Sequence, residues 1–494
     1  MEGIYGWMER RKGMRMKEFS VASSRAEAPA FYTPPIPPGQ EPFPFQLAGV
    51  EYHMARDNAL YGDEPGLGKT AQCILLGNAI EAKSTLVICP ASLRLNWERE
   101  IWRWSTIPNV STYPILKSPN GVSHIANYVI TSYDMLRSKA ILAALMDKRW
   151  DHLVLDEAHA LKDPKGNQRT KAICAPDMLP SVCGRITMAS GTILPNQPIE
   201  CYNAIRLLNW EAINKASLSD FRHMYYEEGG GMIVGPVLNQ DTQVWERKLH
   251  WSTHVLNVPV NMEDLQYRLR KFIMVRRLKS DVLTQLPPKA WHPFPLDMTP
   301  AIRKALRHEG WVKAERLYDL DPGAFQAVSV DGQIATARRL LGEAKAPVVA
   351  AYIEELLNEG VDKVVVSAYH TSVLAILRER LGRFGLVFMD GSTPMKRRQL
   401  AVDSFNADPA IRVILGQSQP LGEGWTLTAS QDVVLAEPDW VPGRNEQVVD
   451  RVHRIGQRGH VLGHVPVVPN TLDERILGTV VAKSQNIHAA LDKQ

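Results

Sequence analysis

Three groups of residues in this 494-residue chain have types and spacings suited to phosphate chemistry. The first is Asp63-Glu64-Pro65-Gly66-Leu67-Gly68-Lys69-Thr70, which runs into a helical pattern from Ala71 to Ala82. Amides of a glycine turn and of a helix N-terminus can cradle phosphates, Lys69 can neutralise β and γ oxygens, and Thr70 can hold magnesium. Asp63 replaces the first glycine usual in such loops, and the bland alternative is a glycine turn with an exposed lysine. The second group, Asp156-Glu157-Ala158-His159, closes an apolar run, where ligands of open α/β sheets gather. Asp156 suits magnesium, usually through water, and Glu157 suits orienting the attacking water. Seen alone, such an acidic pair is as often a solvated turn. The third group is Arg451 and Arg454, between Gln447 and Gln457, read as one helical turn apart. Such a pair suits a transition-state clamp reaching across a cleft, and hydrolysis would then require closure of two halves. The alternative is an exposed helix face with pairs such as Asp450 with Arg454, worth tenths of a kcal/mol.

Composition bounds the class. The chain is 45% hydrophobic and 22% charged, ordinary for a soluble enzyme of several domains. A formal charge of +4 requires any nucleic-acid surface to come from local Lys and Arg placement. Cys73, Cys89, Cys174, Cys183 and Cys201 form no C-x-x-C pair, so reduced, small buried side chains are expected. Met1 to Lys17 lacks the apolar core of a signal peptide, and no apolar run reaches spanning length. A non-membrane location is expected: the cytoplasm or nucleoid of a bacterium or virus-infected cell, or a eukaryotic nucleus.

These residues need elements to position them. Thr85–Cys89, Tyr128–Thr131, His152–Asp156 and Arg185–Ala189 read as strands buried on both faces, with helices over Ala91–Trp104 and Tyr133–Lys148 between them. Val364–Ala368, Leu386–Met389, Ile411–Leu415 and Asp432–Ala436 repeat the pattern, with helices over Ser372–Arg383 and Pro394–Phe405. The expected fold is α/β: an extended segment over 1–44, a first parallel-sheet lobe over 45–209, a helical protrusion and hinge over 210–346, and a second lobe over 347–494. The glycine run Gly229–Gly231 and the prolines Pro287 and Pro288 fall in the third of these.

Taken together, Phe45-Gln46-Leu47, the three groups above, and Ser190-Gly191-Thr192 resemble a superfamily-two helicase-type motor. The finer resemblance is to Swi/Snf-type DNA translocases with a DEAH box. It rests on Leu86 to Trp97, on Met274-Val-Arg276-Arg277-Leu-Lys279-Ser-Asp281 through Lys289, and on Arg451 to Gln457. Pro198-Ile-Glu200 and Asp439-Trp440-Val-Pro442-Gly443 look most similar to the annealing-helicase branch.

The resemblance implies two RecA-like lobes and an ATP- and magnesium-dependent enzyme acting on double-stranded or branched DNA. Gln46 matches an adenine-reading glutamine. Asp63, Gly66, Gly68, Lys69 and Thr70, with Gly422, Gly424 and Gln447, are expected about the nucleotide. Pro90, Ser92, Thr131, Ser132, Ser190, Thr192, His370, Gly391 and Ser392 match motifs that touch the nucleic-acid backbone, although serines and threonines at strand ends also cap turns. Arg276, Arg277 and Lys279 read either as a basic helix face above Leu265, Leu269 and Phe272 or as DNA contacts, and the resemblance implies an interlobe brace. Trp97, Trp102 and Trp104 on one helix read as core rather than a stacking platform. Ile193, where the family continues with proline, and Gln417-Ser418-Gln419 depart from the pattern. Room for a reader module is not expected, so targeting falls to partners or DNA structure. A single-strand or RNA helicase would share the ATP motifs, and a binding scaffold would have lost some of them.

Overall fold

The structure, a computed structural model, describes residues 32–115, 122–163, 166–191, 197–238, 245–283, 285–320, 332–422, 424–439, 442–471, 473–474 and 477, with backbone alone for 228–258, 317–320 and 442. Thr192, Ile193 and Trp440, named above, lie outside the described residues.

Helix α1 (Pro44–Met54) leads into strand β1 (Asn58–Tyr61), the phosphate-loop candidate and helix α2 (Lys69–Ala79). Strand β2 (Thr85–Cys89) precedes helix α3 (Arg94–Trp104), and β3 (Thr112–Pro114), β4 (Tyr128–Ser132), β5 (Trp150–Asp156) and β6 (Cys183–Ala189) follow. An antiparallel ribbon of β7 (Tyr226–Leu238) and β8 (Trp245–Pro259) comes next, then helix α4 (Met262–Phe272) and strand β9 (Met274–Val275). The first sheet runs β3-β4-β2-β5-β6-β1-β9, with every pairing parallel.

The chain crosses to the second lobe through a short helix, α5 (Lys279–Val282). Strand β10 (Lys289–Pro295) is followed by helices α6 (Pro300–Leu306), α7 (Glu309–Leu320) and α8 (Gly332–Asn358). Strands β11 (Val364–Ala368), β12 (Leu386–Met389), β13 (Val413–Gln417) and β14 (Asp432–Leu435), helix α9 (Pro442–Val449) and strand β15 (Val461–Val467) complete the lobe. The second sheet is again parallel, in the order β10-β15-β14-β11-β13-β12. The expected fold class, two parallel-sheet α/β lobes, is therefore the observed one.

Strands buried on both faces divide their side chains between two cores. On β2, Leu86 and Ile88 enter one apolar cluster of lobe one, while Val87 and Cys89 enter the other. On β11, Val364, Val366 and Ala368 face one cluster of lobe two and Val365 the opposite one. The five cysteines are free thiols; Cys73, Cys89 and Cys201 are buried, as expected, whereas Cys174 and Cys183 are half-buried.

Residues 210–346 are not a helical protrusion alone. They include the β7–β8 ribbon, on which the Gly229–Gly231 run lies, and they send β9 into the first sheet and β10 into the second. Two-residue β9 is too short to leave a periodic signal, and prolines at 293 and 295 disguise β10, which sits at the sheet edge where proline is tolerated. Helix α8 runs unbroken past residue 346 with Pro347 inside it, and α6, α7 and α8 share a core of Ile302, Trp311, Ala314 and Leu341 with Val468. Connection between the sheets is thus made at 276–288.

Candidate active site

Register brings the predicted groups to one edge. Tyr61 at the end of β1 pairs with Ala189 and with Val275, and Asp156 at the end of β5 also pairs with Ala189. The loops after Tyr61, Asp156, Ala189 and Val275 therefore leave lobe one side by side, at the carboxyl ends of its strands.

In the phosphate-loop candidate, Gly66 and Gly68 both have positive φ, at 93° and 74°. A β-carbon on Gly68 would collide with the Gln46 amide, so only glycine lets α1 and the loop meet. Gln46 Nε2 donates to the Leu67 carbonyl at 3.1 Å, and Gln46 Oε1 accepts from Phe43 N at 2.9 Å. Lys69 opens α2 and donates to the carbonyls of Asp63 at 2.7 Å and Glu64 at 3.1 Å. Thr70 follows it in the first helical turn. The Asp63 carboxylate faces inward: Arg277 Nη1 reaches Oδ2 at 2.8 Å, Gln72 Nε2 reaches it at 2.9 Å, and Arg277 N reaches Oδ1 at 3.0 Å. Asp63 thus shapes the loop from inside the fold.

At the end of β5 both Asp156 oxygens are engaged. Trp97 Nε1 donates to Oδ2 at 2.8 Å and Glu157 N donates to Oδ1 at 2.9 Å. Glu157 adopts left-handed backbone with φ 50°, uncommon outside glycine, and its carboxylate lies 3.3 Å from His159 Nδ1. The environment drives the two carboxyls apart. Burial, then the charge of Glu157, raises Asp156. Burial also works to raise Glu157, but the hydrogen bond and charge of His159, then Arg451 and Lys69, outweigh it and hold that carboxyl below the usual range. Burial lowers the Lys69 ammonium, with Glu157, Asp63 and Asp156 opposing and Arg451 adding to the fall. A carboxylate kept ionised beside a raised partner is the division expected of a water-orienting base and a neighbour with another task.

Lobe two meets this edge. Arg454 Nη1 donates to the Trp425 carbonyl at 2.8 Å, and its Cγ stands 3.1 Å from where a β-carbon of Gly66 would be. Burial, then the charge of Arg451, pushes Arg454 down to about 10. Arg451 is buried, its Nε without a hydrogen-bond partner, and its charge is felt by both Lys69 and Glu157. Gly424, with φ 65°, comes so close to Leu93 of lobe one that a β-carbon would overlap its side chain. Gly422 faces Gln447, whose Cβ would stand 3.7 Å from a β-carbon on that glycine.

A second crossing stands behind the arginines. Lys279 N donates to Glu64 Oε2 in the phosphate loop at 2.6 Å, while Lys279 Nζ donates to Asp450 Oδ1 at 2.9 Å and to the His453 carbonyl at 2.6 Å. Lys289 Nζ reaches the same Asp450 oxygen at 3.0 Å. The two ammonium groups hold the Asp450 carboxyl far below its ordinary value despite burial.

The residues matched to nucleic-acid contact form two sets. Pro90 and Ser92 follow β2, Thr131 and Ser132 end β4, and Ser190 follows β6, at the edge of lobe one where Cys89 pairs with Ser132. Of these, Pro90 is half-buried and the four hydroxyl residues are buried. In lobe two, Gly391 and Ser392 are exposed after β12, and His370 follows β11. Gln417 joins these loops, accepting from Gly391 N at 2.9 Å and donating to the Tyr369 carbonyl at 3.3 Å. Glu437 accepts from the amides of Tyr369 at 3.0 Å and His370 at 2.9 Å, and lies 2.7 Å from His370 Nδ1.

Three local readings are corrected. Helix α9 ends at Val449, so Arg451 and Arg454 sit in the following turn, held by Leu427 N on the Arg451 carbonyl and Gln457 Nε2 on the Ser430 carbonyl. Helix α4 stops at Phe272, so Arg276, Arg277 and Lys279 lie beyond it and are buried; of the readings offered for them, Lys279 makes an interlobe brace. Trp97 and Trp104 are core, but Trp102 is 56% exposed. These turns leave no local signal because the buried charges just beyond them, Arg276, Arg277, Lys279 and Asp450, pair with residues far away in the chain. Unforeseen partners include Leu93 with Gly424, Glu64 with Lys279, and Glu437 with His370. No pattern within one segment announces them.

Among the described residues, no helix is long and apolar enough to cross a membrane. A family description, the SNF2-related domain, matches residues 45–340, and a second, the helicase conserved C-terminal domain, matches 348–456. The chain is 31% identical over 456 residues to the DNA annealing helicase and endonuclease ZRANB3 of Bos taurus, covering 90% of this chain and 40% of that protein. It is 30% identical over 440 residues to the SWI/SNF-related matrix-associated actin-dependent regulator of chromatin subfamily A-like protein 1 of Bos taurus, covering 87% of this chain and 43% of that protein. The chain thus spans about 40% of the length of these relatives. A solved structure described as the Sulfolobus solfataricus SWI2/SNF2 ATPase core in complex with dsDNA aligns with a TM-score of 0.43 at 20% identity, covering 94% of this chain and 99% of that one.

Proposed function

This chain belongs to the family of SNF2-related domains, and on that premise we propose that it is an ATP-driven motor that tracks along double-stranded or branched DNA. One observation carries the proposal: Arg454 of lobe two lies against Gly66, and the charge of Arg451 acts on Lys69 and Glu157, so a single phosphate site draws on both lobes. Such a division makes hydrolysis depend on how the lobes sit, and whatever grips both lobes can then control turnover.

Each residue has a part in this reading. The amides about Gly66 and Gly68 and the N-terminus of α2 bind phosphates, while Lys69 exchanges its loop carbonyls for phosphate oxygens. Gln46 orients the base. Glu157 aligns water for attack on the γ-phosphate, and Arg451 and Arg454 receive the charge that develops there. Magnesium fits the donors present. Thr70 in the first turn of α2 and Asp156 at the end of β5 would hold it, one hydroxyl and one carboxylate suiting an ion that keeps waters and takes phosphate oxygens. When bound, the ion offsets phosphate charge.

The loops after β2, β4 and β6 in lobe one, and after β11 and β12 in lobe two, then follow one strand by its backbone. Contacts of that kind carry little sequence preference and make binding strongly salt-dependent. The experiment is ATP hydrolysis by the purified protein with duplex DNA, single-stranded DNA and RNA at equal phosphate concentration. Duplex or branched DNA is expected to stimulate most. Stimulation by RNA or single strands alone would reassign the polymer, and no hydrolysis with any of them would leave a binding scaffold.

A further inference from the structure

Trp97 donates a hydrogen bond to the candidate metal carboxylate, Asp156, and it is not one of the residues that would bind nucleotide or DNA. It is 1% exposed, and its indole N–H points at Asp156 Oδ2 over 2.8 Å. Because Glu157 N occupies Oδ1, these two donors fix the carboxylate's rotation about its own bond. The Tyr133 hydroxyl holds the Asp156 carbonyl at 2.8 Å, so the backbone is fixed as well.

Leu93 lies one helical turn before Trp97, at the N-cap of α3. Residues four apart share a helix face, so a push on one is felt by the other through a single rigid turn. Leu93 is the lobe-one side chain pressed against Gly424, and a β-carbon there would come 3.3 Å from Leu93 Cγ as well as overlapping a methyl group. Gly424 belongs to the segment whose carbonyls hold Arg454. The first turn of α3 therefore touches lobe two at one end and Asp156 at the other.

Resting on the motor reading above, we infer that Trp97 is a positioning residue that aims Asp156 at the metal and that α3 transmits lobe closure to it through Leu93. An orienting hydrogen bond behind a ligand typically supports metal affinity by tenfold or more. Indole suits the task because it brings one fixed donor and no acceptor, and its bulk anchors it in the core.

The test measures equilibrium binding of Mn2+, a spectroscopically visible substitute for magnesium, by electron paramagnetic resonance with the full chain and a non-hydrolysable ATP analogue. Trp97→Phe keeps an aromatic ring and loses the donor. Replacing Trp97 with benzothienylalanine keeps the outline and loses only the N–H, which covers the case of a phenylalanine variant that folds poorly. Both are expected to weaken Mn2+ about tenfold while analogue binding without metal is unchanged. Duplex DNA is expected to tighten Mn2+ in the wild type, and Leu93→Ala to abolish that tightening without changing the DNA-free value. Folded Trp97 variants with wild-type Mn2+ affinity would overturn the inference, as would full DNA-linked tightening in Leu93→Ala. Failure of the wild type to bind Mn2+ with nucleotide would instead overturn the motor reading.

Discussion

Glu157 shows how much of this site is set by single side chains. Its carboxyl is held low by His159, Arg451 and Lys69, whereas Asp156 one residue away is pushed up by burial and by Glu157 itself. Glu157→Gln keeps the shape and removes the base. It is expected to leave ATP and DNA binding intact and to slow turnover on the order of a hundredfold or more, as read by single-turnover hydrolysis. Normal turnover would remove Glu157 from the reaction. The types at Lys69, Asp156 and Glu157 were legible because phosphate and water chemistry prescribes them within a few consecutive residues. Trp97 was legible only as core, because its partner lies 59 positions along the chain. For Lys279 the resemblance implied an interlobe brace, but its partners were hidden. Its neighbours in sequence suggest an exposed basic face, and only the fold brings Asp450 and Glu64 to it.

At the scale of elements, strands were the clearest feature. Thr85–Cys89 and Val364–Ala368 are mostly apolar and buried at every residue, and their limits match the expected ones. Turns at element ends were less legible, since the buried charges that follow α4 and α9 find partners far along the chain. One such pair fastens β9 to the phosphate loop: Arg277 and Asp63 are 2.8 Å apart with neither side chain exposed. Removing either partner strands the other, so Asp63→Ala or Arg277→Ala is expected to cost about 3–5 kcal/mol in urea unfolding. A loss below 1 kcal/mol, as for an exposed pair, would contradict this account of the loop. Lobe one also carries two buried histidines. Burial, then Arg185, lowers His152 to about 3 and His53 well below 6.5. His53 stacks on Tyr61 at 3.6 Å, and His152 Nε2 meets Thr187 Oγ1 at 2.8 Å. Both rings are neutral in the fold, and an unfolded chain takes up their protons below about 6.5. Stability is therefore complete above that pH and falls as pH drops toward the folded values, by up to about 1.4 kcal/mol per unit for each ring. Thermal unfolding at pH 5 and pH 7.5 checks the sign, and His152→Gln should flatten the slope.

At the scale of the whole molecule, two large parallel sheets among the described residues, besides the β7–β8 ribbon, are joined by a short crossing at 276–288, and Arg454 and Gly424 of lobe two meet Gly66 and Leu93 of lobe one. Lys279 and Lys289 converge on Asp450 across that crossing, and Arg451 follows Asp450 directly, so the brace and the arginine proposed to receive the developing charge are neighbours in the chain. Parallel topology was readable from alternating apolar and amphipathic stretches. The division of one phosphate site between two lobes was readable only as a possibility from the paired arginines, because contact across a cleft leaves no local spacing. That division is the central claim, and Arg451→Ala tests it most directly. ATP affinity and turnover are measured for this variant and the wild type with saturating duplex DNA. The account predicts unchanged affinity and turnover lower on the order of a thousandfold. Wild-type turnover, or a defect confined to ATP affinity, would contradict it.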